Sequence, residues 1–413
     1  MDHDRRARFS LASVLFTFFI DNLSWSIVFP IFSPLFLDSS SKLFDADVSV
    51  QTRTAILGFF LMAFSLGQFL GAPLLGEYAD RRGRRKALAL SVFFTLVGFA
   101  LTSWSVQVGS LSILFMGRLI TGIFASNMSI CLAAVSDLSE DPKEKVRYFG
   151  YLSVIAGVSF ILGGFVGGKL SDPTISPLFS PQFPLWIATG FTLVNYFFIL
   201  FGFRETSRID LLVRFNFLES FQNIQKALKT EGIQKVYLIY FLFLFAWTIL
   251  FQFVPVLAVR YFDFSYSNNA DLALFMGICW AIGSGYLNKI LMRRFSGLTI
   301  LKGSLLLFTL CCALVVFPTH IYWVLAVTAG SVIMGGLAWP HCTGFISDSA
   351  PKEIQGKIMG ISQSVQSLAM TLSPALGGIA AQFHVEWTFL LGAAASMGAS
   401  VLYLSLKKRN SES

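Results

Sequence analysis

Twelve long apolar runs constrain what this chain can fold into more than any other feature. Each holds about 20 or more largely apolar residues, the length that an α-helix needs to cross a lipid bilayer. We therefore predict an all-α polytopic membrane protein with twelve transmembrane helices in two groups of six. The predicted spans are residues 9–37, 54–78, 86–107, 110–137, 147–170, 183–203, 234–259, 270–292, 298–317, 321–347, 355–382 and 386–406.

Composition favours the same class of protein. Of the 413 residues, 55% are hydrophobic and only 13% are charged, whereas soluble domains carry about a quarter charged residues. The net charge of +8 suits membrane orientation better than nucleic-acid binding. The five cysteines lie inside apolar runs without metal-ligand spacing, and no nucleophile–base set is visible. We expect no cofactor, no metal and no enzymatic activity.

The placement of basic residues predicts how the chain is oriented. Most of the 31 Lys and Arg residues lie at the termini or in the connections after the second, fourth, sixth, eighth and tenth spans. Because cytoplasmic segments are enriched in Lys and Arg, both termini are predicted to be cytoplasmic. In the connection after the sixth span, a surface helix on the membrane is predicted from apolar residues at roughly helical spacing. These residues are Ile209, Leu212, Val213, Phe217 and Phe221.

An internal repeat divides the chain into two parts. Residues 163–168 of the fifth span match residues 373–378 of the eleventh, at an offset of 210 residues. This pattern predicts a parallel duplication of six spans. The predicted domains are a six-helix half over 1–203, a cytoplasmic linker over 204–233 and a second six-helix half over 234–413.

Asp21 is the only acidic residue deep within a predicted span. The helix rise places both Asp21 and Arg118 about 12 Å below the outer membrane edge. Burial favours a protonated carboxyl group, whereas a nearby guanidinium favours the ionised form. We expect Asp21 to exchange a proton or bind substrate while Arg118 tunes it, because intramembrane ionisable residues usually mark functional sites. A structural ion pair, or a hydrogen bond between Asp21 and Asn22, is the alternative.

The densest charge cluster, residues 76–86 (GEYADRRGRRK), lies between the second and third spans. It predicts a very short, positively charged turn between two helices. Gly76 and Gly83 are expected to allow close packing and a sharp reversal of the backbone. An ordinary solvated loop is the alternative.

Two groups of six spans joined to this turn resemble the major facilitator superfamily over essentially the whole chain. The family's signature in this turn is G-x-L-A-D-R-x-G-R-[RK], and Tyr78 replaces its Leu. The matching residues are Gly76, Ala79, Asp80, Arg81, Gly83, Arg84 and Arg85. Within that superfamily the chain is similar to the twelve-helix drug:proton antiporters, especially tetracycline-efflux proteins. Asp21 ahead of Pro30, Arg118 in the fourth span and the glycine motif of the fifth carry this likeness, although Gly164 stands where that group has Pro.

The resemblance implies roles for three sets of residues. The first is a latch between helices that stabilises the outward-open state, with Arg84 facing Asp137 and Asp80 facing the start of the eleventh span. Its residues are Gly76, Asp80, Arg81, Gly83, Arg84 and Asp137. The second lines a central cavity on spans 1, 4, 7 and 10, and comprises Asn22, Trp25, Asn127, Trp247, Gln252, Trp339 and His341. The third packs helices closely and comprises Gly163, Gly164, Gly167, Gly168, Pro374, Gly377 and Gly378, with a bend expected at Pro374.

The function expected from the resemblance is secondary active transport of a small organic molecule by alternating access. Proton-coupled efflux is the first expectation. A proton-coupled importer of a metabolite or siderophore-like compound, or a membrane sensor that does not transport, are the alternatives. We expect a monomer in the plasma membrane, such as a bacterial inner membrane, whose partners are the substrate, protons and the bilayer.

Overall fold

The computed structural model describes residues 2–125, 130–131, 134–135, 138, 142–205, 218–229, 233–349 and 355–411. Within those ranges the chain is helical, with no strand. The helices are α1 (Asp2–Ser26), α2 (Phe29–Leu37), α3 (Val50–Arg82), α4 (Arg84–Val108), α5 (Leu111–Phe124), α6 (Pro142–Lys169), α7 (Phe183–Gly202), α8 (Glu219–Lys229), α9 (Gln234–Phe262), α10 (Tyr266–Ala281), α11 (Asn288–Leu291), α12 (Gly297–Leu314), α13 (Ile321–Asp348), α14 (Gln355–Phe383) and α15 (Val385–Ser411). A π-helical turn, Ile282–Leu287, joins α10 to α11.

Nine helices in the described part of the chain are long and apolar enough to cross a membrane. Two shorter apolar helices, Ser10–Leu23 and Leu111–Phe124, lie within the predicted first and fourth spans. The predicted all-α membrane fold is confirmed, and the count of twelve spans stays a prediction.

The burial pattern of α7 is typical of a helix in lipid. Its polar residues Thr192 and Asn195 are 1% and 0% exposed, whereas Phe197 and Phe201 are 48% and 84% exposed. Large apolar side chains on the outer face are favourable only where the surroundings are apolar. This helix therefore turns its polar side to the protein and its phenylalanines to the bilayer.

Two interruptions of the helices have local causes. The predicted first span is divided at Ile27–Val28, and Pro30 occupies the first turn of α2, where its missing N–H costs no hydrogen bond. The π-helical turn contains Gly283 and Gly285, and such turns frequently occur at functional sites.

The chain forms two compact units. Unit 1 comprises Met1–Ala46, Ala63–Phe217 and Ser265–Ala273. Within it, α1 packs against α6 and α7, and α4 packs against α5 and α7. Its core includes Val14, Phe18, Leu75 and Leu88, all nearly inaccessible to solvent.

Unit 2 comprises Asp47–Met62, Leu218–Phe264 and Leu274–Ser413. Helix α9 is buried along most of its length, because α13, α14 and α15 pack around it. The predicted domain boundaries at 203/204 and 233/234 stay predictions.

A helix is present in the connection where a surface helix is predicted. It is α8, which contains Phe221 and packs against α14 and α9. Asn223 Nδ2 donates to Ser364 Oγ at 3.4 Å. The other four apolar residues of the predicted pattern lie outside the described residues, namely Ile209, Leu212, Val213 and Phe217.

Candidate functional site

Asp21 lies on α1, within unit 1, and its side chain is partly buried. The neighbouring Asn22 donates from Nδ2 to the carbonyl oxygen of Phe18 at 2.8 Å, within the same helix. Trp25 lies in the last turn of α1, but its side chain lies outside the described part of the structure, as does the whole of Asn127. Of the cavity residues predicted on the first and fourth spans, the structure therefore places the side chain of Asn22 alone.

Arg118 is a buried cation on α5, with 4% of its surface exposed. Its guanidinium carbon lies 4.4 Å from the ring centroid of Phe64 and 5.7 Å from that of Phe32. Both distances are within the range of a cation–π interaction, which is strongest when water is excluded. Its Nε and Nη1 atoms are buried and donate no hydrogen bond to the described residues. Aromatic rings, rather than a described carboxylate, thus hold this charge.

The charged turn between α3 and α4 consists of one residue, Gly83. Its φ of 95° lies in a region that residues with a Cβ rarely adopt. Asp80 Oδ1 forms an ion pair with Arg84 Nη1 at 3.2 Å, one helical turn apart across Gly83. Gly76, by contrast, has open space where a Cβ would stand. Asp137, the predicted partner of Arg84, lies outside the described residues, as do residues 351–354.

Glu205 holds the start of α4, and sequence reasoning missed it. Its Oε1 accepts from the backbone N–H of Arg84 at 2.8 Å, and its Oε2 accepts from that of Arg85 at 3.2 Å. The first N–H groups of a helix lack partners within the helix and favour negative charge. Arg85 Nη2 in turn donates to the carbonyl oxygen of Leu200 near the end of α7. The turn is therefore fastened to the end of the sixth predicted span.

Three tryptophans from three helices meet in unit 2. The ring centroid of Trp247 lies 4.9 Å from that of Trp280 and 6.4 Å from that of Trp339, and Trp280 and Trp339 are 5.8 Å apart. We call Trp247, Trp280 and Trp339 the tryptophan cluster. Trp247 is 5% exposed, whereas Trp280 and Trp339 are half-buried. Gly335 and Gly336 of α13 make room for Trp247 and for the Trp280 backbone.

The two remaining cavity candidates in unit 2 differ in their hydrogen bonding. Gln252 on α9 has a buried Oε1 atom with no hydrogen-bond donor among the described residues. His341 on α13 shares a hydrogen bond of 3.0 Å between its Nε2 and Asn288 Oδ1. Asn288 directly follows the π-helical turn, so this turn determines where the His341 partner stands.

The glycines of α6 face two directions. On one side, a Cβ at Gly163 would collide with Ser26 Oγ, and one at Gly167 would lie 2.6 Å from the Ile27 carbonyl oxygen. On the other side, a Cβ at Gly168 would lie 2.6 Å from Ala270 Cβ, and one at Gly164 would lie 3.0 Å from Ala273 Cβ. Helix α6 therefore approaches both the α1–α2 junction and the start of α10 closely.

The glycines of α14 make similar contacts in unit 2. A Cβ at Gly377 would lie 2.6 Å from the Phe253 ring, and one at Gly378 would lie 2.7 Å from the Gly58 Cα. Pro374 lies inside this helix, which runs continuously from Gln355 to Phe383. In the part of the chain that the structure describes, no three His, Cys, Asp or Glu side chains are grouped so as to hold a metal ion.

The chain matches a known protein family over most of its length. The family model described as Major Facilitator Superfamily matches residues 14–374 and also 290–413. The chain belongs to this superfamily, and it is an integral membrane transporter of small molecules.

Two relatives show the breadth of the sequence similarity. The chain is 26% identical over 404 residues to the tetracycline resistance protein, class H, of Pasteurella multocida, covering 96% of this chain and 94% of the relative. It is 24% identical over 369 residues to the quinolone resistance protein NorA of Staphylococcus aureus (strain MSSA476), covering 86% and 88%. The predicted likeness to drug-efflux proteins of this superfamily is confirmed.

Solved structures confirm the fold. The human organic anion transporter MFSD10 (TETRAN) aligns with a TM-score of 0.67 at 20% identity, covering 96% of this chain and 99% of that one. A D-xylose-proton symporter aligns with a TM-score of 0.73 at 14% identity, covering 95% and 96%.

Proposed function

We propose that this protein exports amphipathic small organic molecules in exchange for protons. The observation that carries the proposal is its similarity, over 96% of the chain, to a tetracycline resistance protein. NorA, a quinolone resistance protein, adds a second drug-resistance relative of nearly full length. Export suits a transporter whose relatives are named for resistance to tetracycline and to quinolones.

Asp21 is the proposed proton-binding group. It is an acidic residue on an apolar helix of unit 1, where burial destabilises a carboxylate relative to a protonated carboxyl group. Arg118 supplies a second buried charge in the same unit, held over Phe64 by a cation–π contact. Its proposed role is electrostatic tuning of Asp21, and its described contacts are with aromatic rings.

The tryptophan cluster is the proposed contact for the substrate in unit 2. Trp247 is buried and supports the other two rings, while Trp280 and Trp339 keep part of their surface exposed. Indole faces attract flat aromatic groups and organic cations. Gln252 on α9 and His341 on α13 are the proposed polar contacts, and Asn22, Trp25 and Asn127 are the candidates from the first six spans.

The charged turn is the proposed latch of the cytoplasmic side. Its support is the one-residue Gly83 turn, the Asp80–Arg84 ion pair and the two hydrogen bonds that Glu205 accepts. Gly76, Arg81 and Asp137 complete the proposed set. The orientation that goes with it has both termini in the cytoplasm, in a bacterial inner membrane, with the protein acting as a monomer.

Import by proton symport is the second candidate function. Gly164 favours it, because the drug:proton antiporters that this chain resembles have Pro at that position. In the structure Gly164 stands beside Ala273. A proline ring at this position would have to fit between the closely packed helices α6 and α10.

The direction of transport is tested in inside-out membrane vesicles with an acidified lumen. Export predicts that tetracycline or a quinolone accumulates in the lumen and that dissipating the pH gradient releases it. Asp21→Asn should abolish this accumulation, because the side chain no longer exchanges a proton. Asp263→Asn is the matched control, since Asp263 lies in an exposed connection and Asn tolerates its positive φ.

Two results would contradict the proposal. Accumulation in right-side-out vesicles, driven by an inward proton gradient, would establish import instead. Full proton-driven accumulation by Asp21→Asn would remove Asp21 from the coupling mechanism.

A further inference from the structure

A cluster of charged and polar side chains joins the end of α6 to the start of α10. Lys169 Nζ lies 2.8 Å from Asp271 Oδ2 and donates to Ser267 Oγ at 2.7 Å. Lys169 and Asp271 are 102 positions apart in the chain, in the fifth and eighth predicted spans, and Ser267 lies just before the eighth. We call Lys169, Asp172, Ser267 and Asp271 the Lys169 cluster.

Asp172 contributes the buried part of this cluster. Its side chain is 1% exposed, and its Oδ2 accepts from the backbone N–H of Ser267 at 2.9 Å. Its Oδ1 accepts from the backbone N–H and the hydroxyl of Thr174, at 3.0 and 2.6 Å. Ser267 lies in the first turn of α10, where N–H groups lack partners within the helix and favour an anion. Asp172 thus caps a helix that lies far from it in the sequence.

The backbones beneath the cluster come close together. Gly168, next to Lys169, and Gly164 face Ala270 and Ala273 of α10 without intervening side chains. The segment Ser265–Ala273 belongs to unit 1 together with α6, whereas the chain from Leu274 onwards belongs to unit 2. The first turns of α10 are therefore held by contacts that the rest of α10 does not share.

The strength of the cluster suits a contact that opens and closes. Lys169 and Asp271 remain 27% and 58% exposed, and ion pairs at such positions are weak and screened by salt. The hydrogen bonds to Asp172 are buried and stronger, but they are few. A contact of this kind biases an equilibrium between two states without locking it.

We propose that the Lys169 cluster is a latch that holds α6 against the start of α10 in one state of the transport cycle and releases it in the other. In the predicted topology it lies on the outer side, opposite the charged turn of residues 76–86. Alternating access requires each side to close in turn, so an outer latch complements an inner one. This inference rests on the proposed function for the existence of a cycle, but its contacts are independent of the substrate.

The test measures how fast a cysteine at Ala273 reacts with a membrane-impermeant maleimide added to intact cells. Ala273 is 1% exposed and lies against Gly164, so a closed latch protects it. Lys169→Gln and Asp271→Asn should each speed labelling of Ala273→Cys by about fivefold, the largest effect expected from losing one such pair. The double exchange Lys169→Asp with Asp271→Lys should bring the rate back toward that of the original charges.

Matched controls separate the latch from general loosening. Lys42→Gln removes an exposed lysine from the same predicted side and should leave labelling unchanged. Protein lacking the introduced cysteine measures the background from the five native thiols. Ser267→Ala deletes one partner of Lys169 without changing the charge. It replaces a charge variant in the test if that variant is not produced in the membrane.

The outcomes distinguish this inference from the proposed function. Equal labelling in all variants, or no recovery in the double exchange, would overturn the latch whatever the protein transports. Faster labelling in the single variants, together with no proton-driven drug accumulation in vesicles, would support the latch and contradict drug export.

Discussion

Buried charges in this protein are stabilised in two different ways. Asp172 is surrounded by hydrogen-bond donors, and burial that would raise its pKa is outweighed by hydrogen bonds from Thr174, Ser265 and Ser267 that lower it. Arg118 is instead stacked on Phe64 and Phe32. A charge that is fully hydrogen-bonded stabilises a structure, whereas one held only by rings keeps donors available for a new partner. Asp172 and Arg118 therefore differ in what surrounds the charge, hydrogen-bond donors in one case and aromatic rings in the other.

The lowered pKa of Asp172 predicts how stability depends on pH. The folded-state pKa lies below the unfolded value of about 4, so the ionised carboxylate stabilises the fold above pH 4. That stabilisation is lost as the pH falls through the folded-state pKa. Asp172→Asn should lower the free energy of unfolding by about 1–3 kcal/mol at pH 7. The difference in free energy of unfolding between the variant and the natural protein should become smaller below pH 4.

Thermal unfolding of the purified protein in detergent, between pH 7 and pH 3, checks this expectation. Asp47→Asn is the control, because Asp47 is exposed and its replacement should change little at any pH. A gap for Asp172→Asn that is constant over the whole range would contradict the role given to its carboxylate.

Single glycines decide where helices turn and how closely they pack. Gly83 alone separates α3 from α4, at a positive φ that residues with a Cβ rarely adopt. Gly168 serves a different purpose, since it lies within α6 and lets α10 approach. The same residue type therefore has a conformational role at one element and a packing role at another.

Gly83→Ala should damage the charged turn. The added Cβ would cost about 1–3 kcal/mol, because the φ of 95° and ψ of 153° lie in a region that essentially only Gly adopts, and it would collide with the carboxylate of Glu205. We expect a lower unfolding temperature and slower transport. Gly76→Ala in the same signature is the control, because open space surrounds that position. Equal behaviour of the two variants would show that the Gly83 geometry is unimportant.

At the scale of the whole molecule, two transmembrane helices contribute to both compact units. Helix α3 contributes its first turns to unit 2 and the remainder to unit 1, and α10 contributes its first turns to unit 1. Within unit 2, the early part of α3 meets α14 where Gly58 faces Gly378. Helices can approach this closely only where both side chains are absent.

Gly378→Leu should therefore disturb transport far more than a leucine elsewhere on α14. The new side chain would overlap the backbone of α3 at Gly58 and force the helices apart. Overpacking of this kind costs about 1–3 kcal/mol. We therefore expect the transport rate to fall about tenfold or more. Gly360→Leu on the same helix is the control, because a Cβ there meets open space. Vesicle transport at matched protein abundance is the measurement, and similar rates for both variants would refute the expectation.

Much of the architecture was predictable from local properties of the chain. The lengths of the apolar runs predict helices that the structure contains, and the run of charges at 76–86 predicts the turn that Gly83 makes. The partial burial of Asp21 and the deep burial of Arg118 fit their placement inside spans. The described contacts of Arg118 are with Phe32 and Phe64, which depth alone could not predict, because equal depth in two helices does not determine which faces meet.

The sequence by itself determined the class of fold and the helical segments, because hydrophobic length and charge placement act on each segment separately. The superfamily was indicated by the resemblance of residues 76–86 to its signature. Only the tertiary structure decided that Glu205 caps α4, that Lys169 meets Asp271, and that three tryptophans from α9, α10 and α13 share one site. Each of these contacts joins residues far apart in the chain. Their positions depend on how helices rotate and pack against one another, which no local pattern specifies.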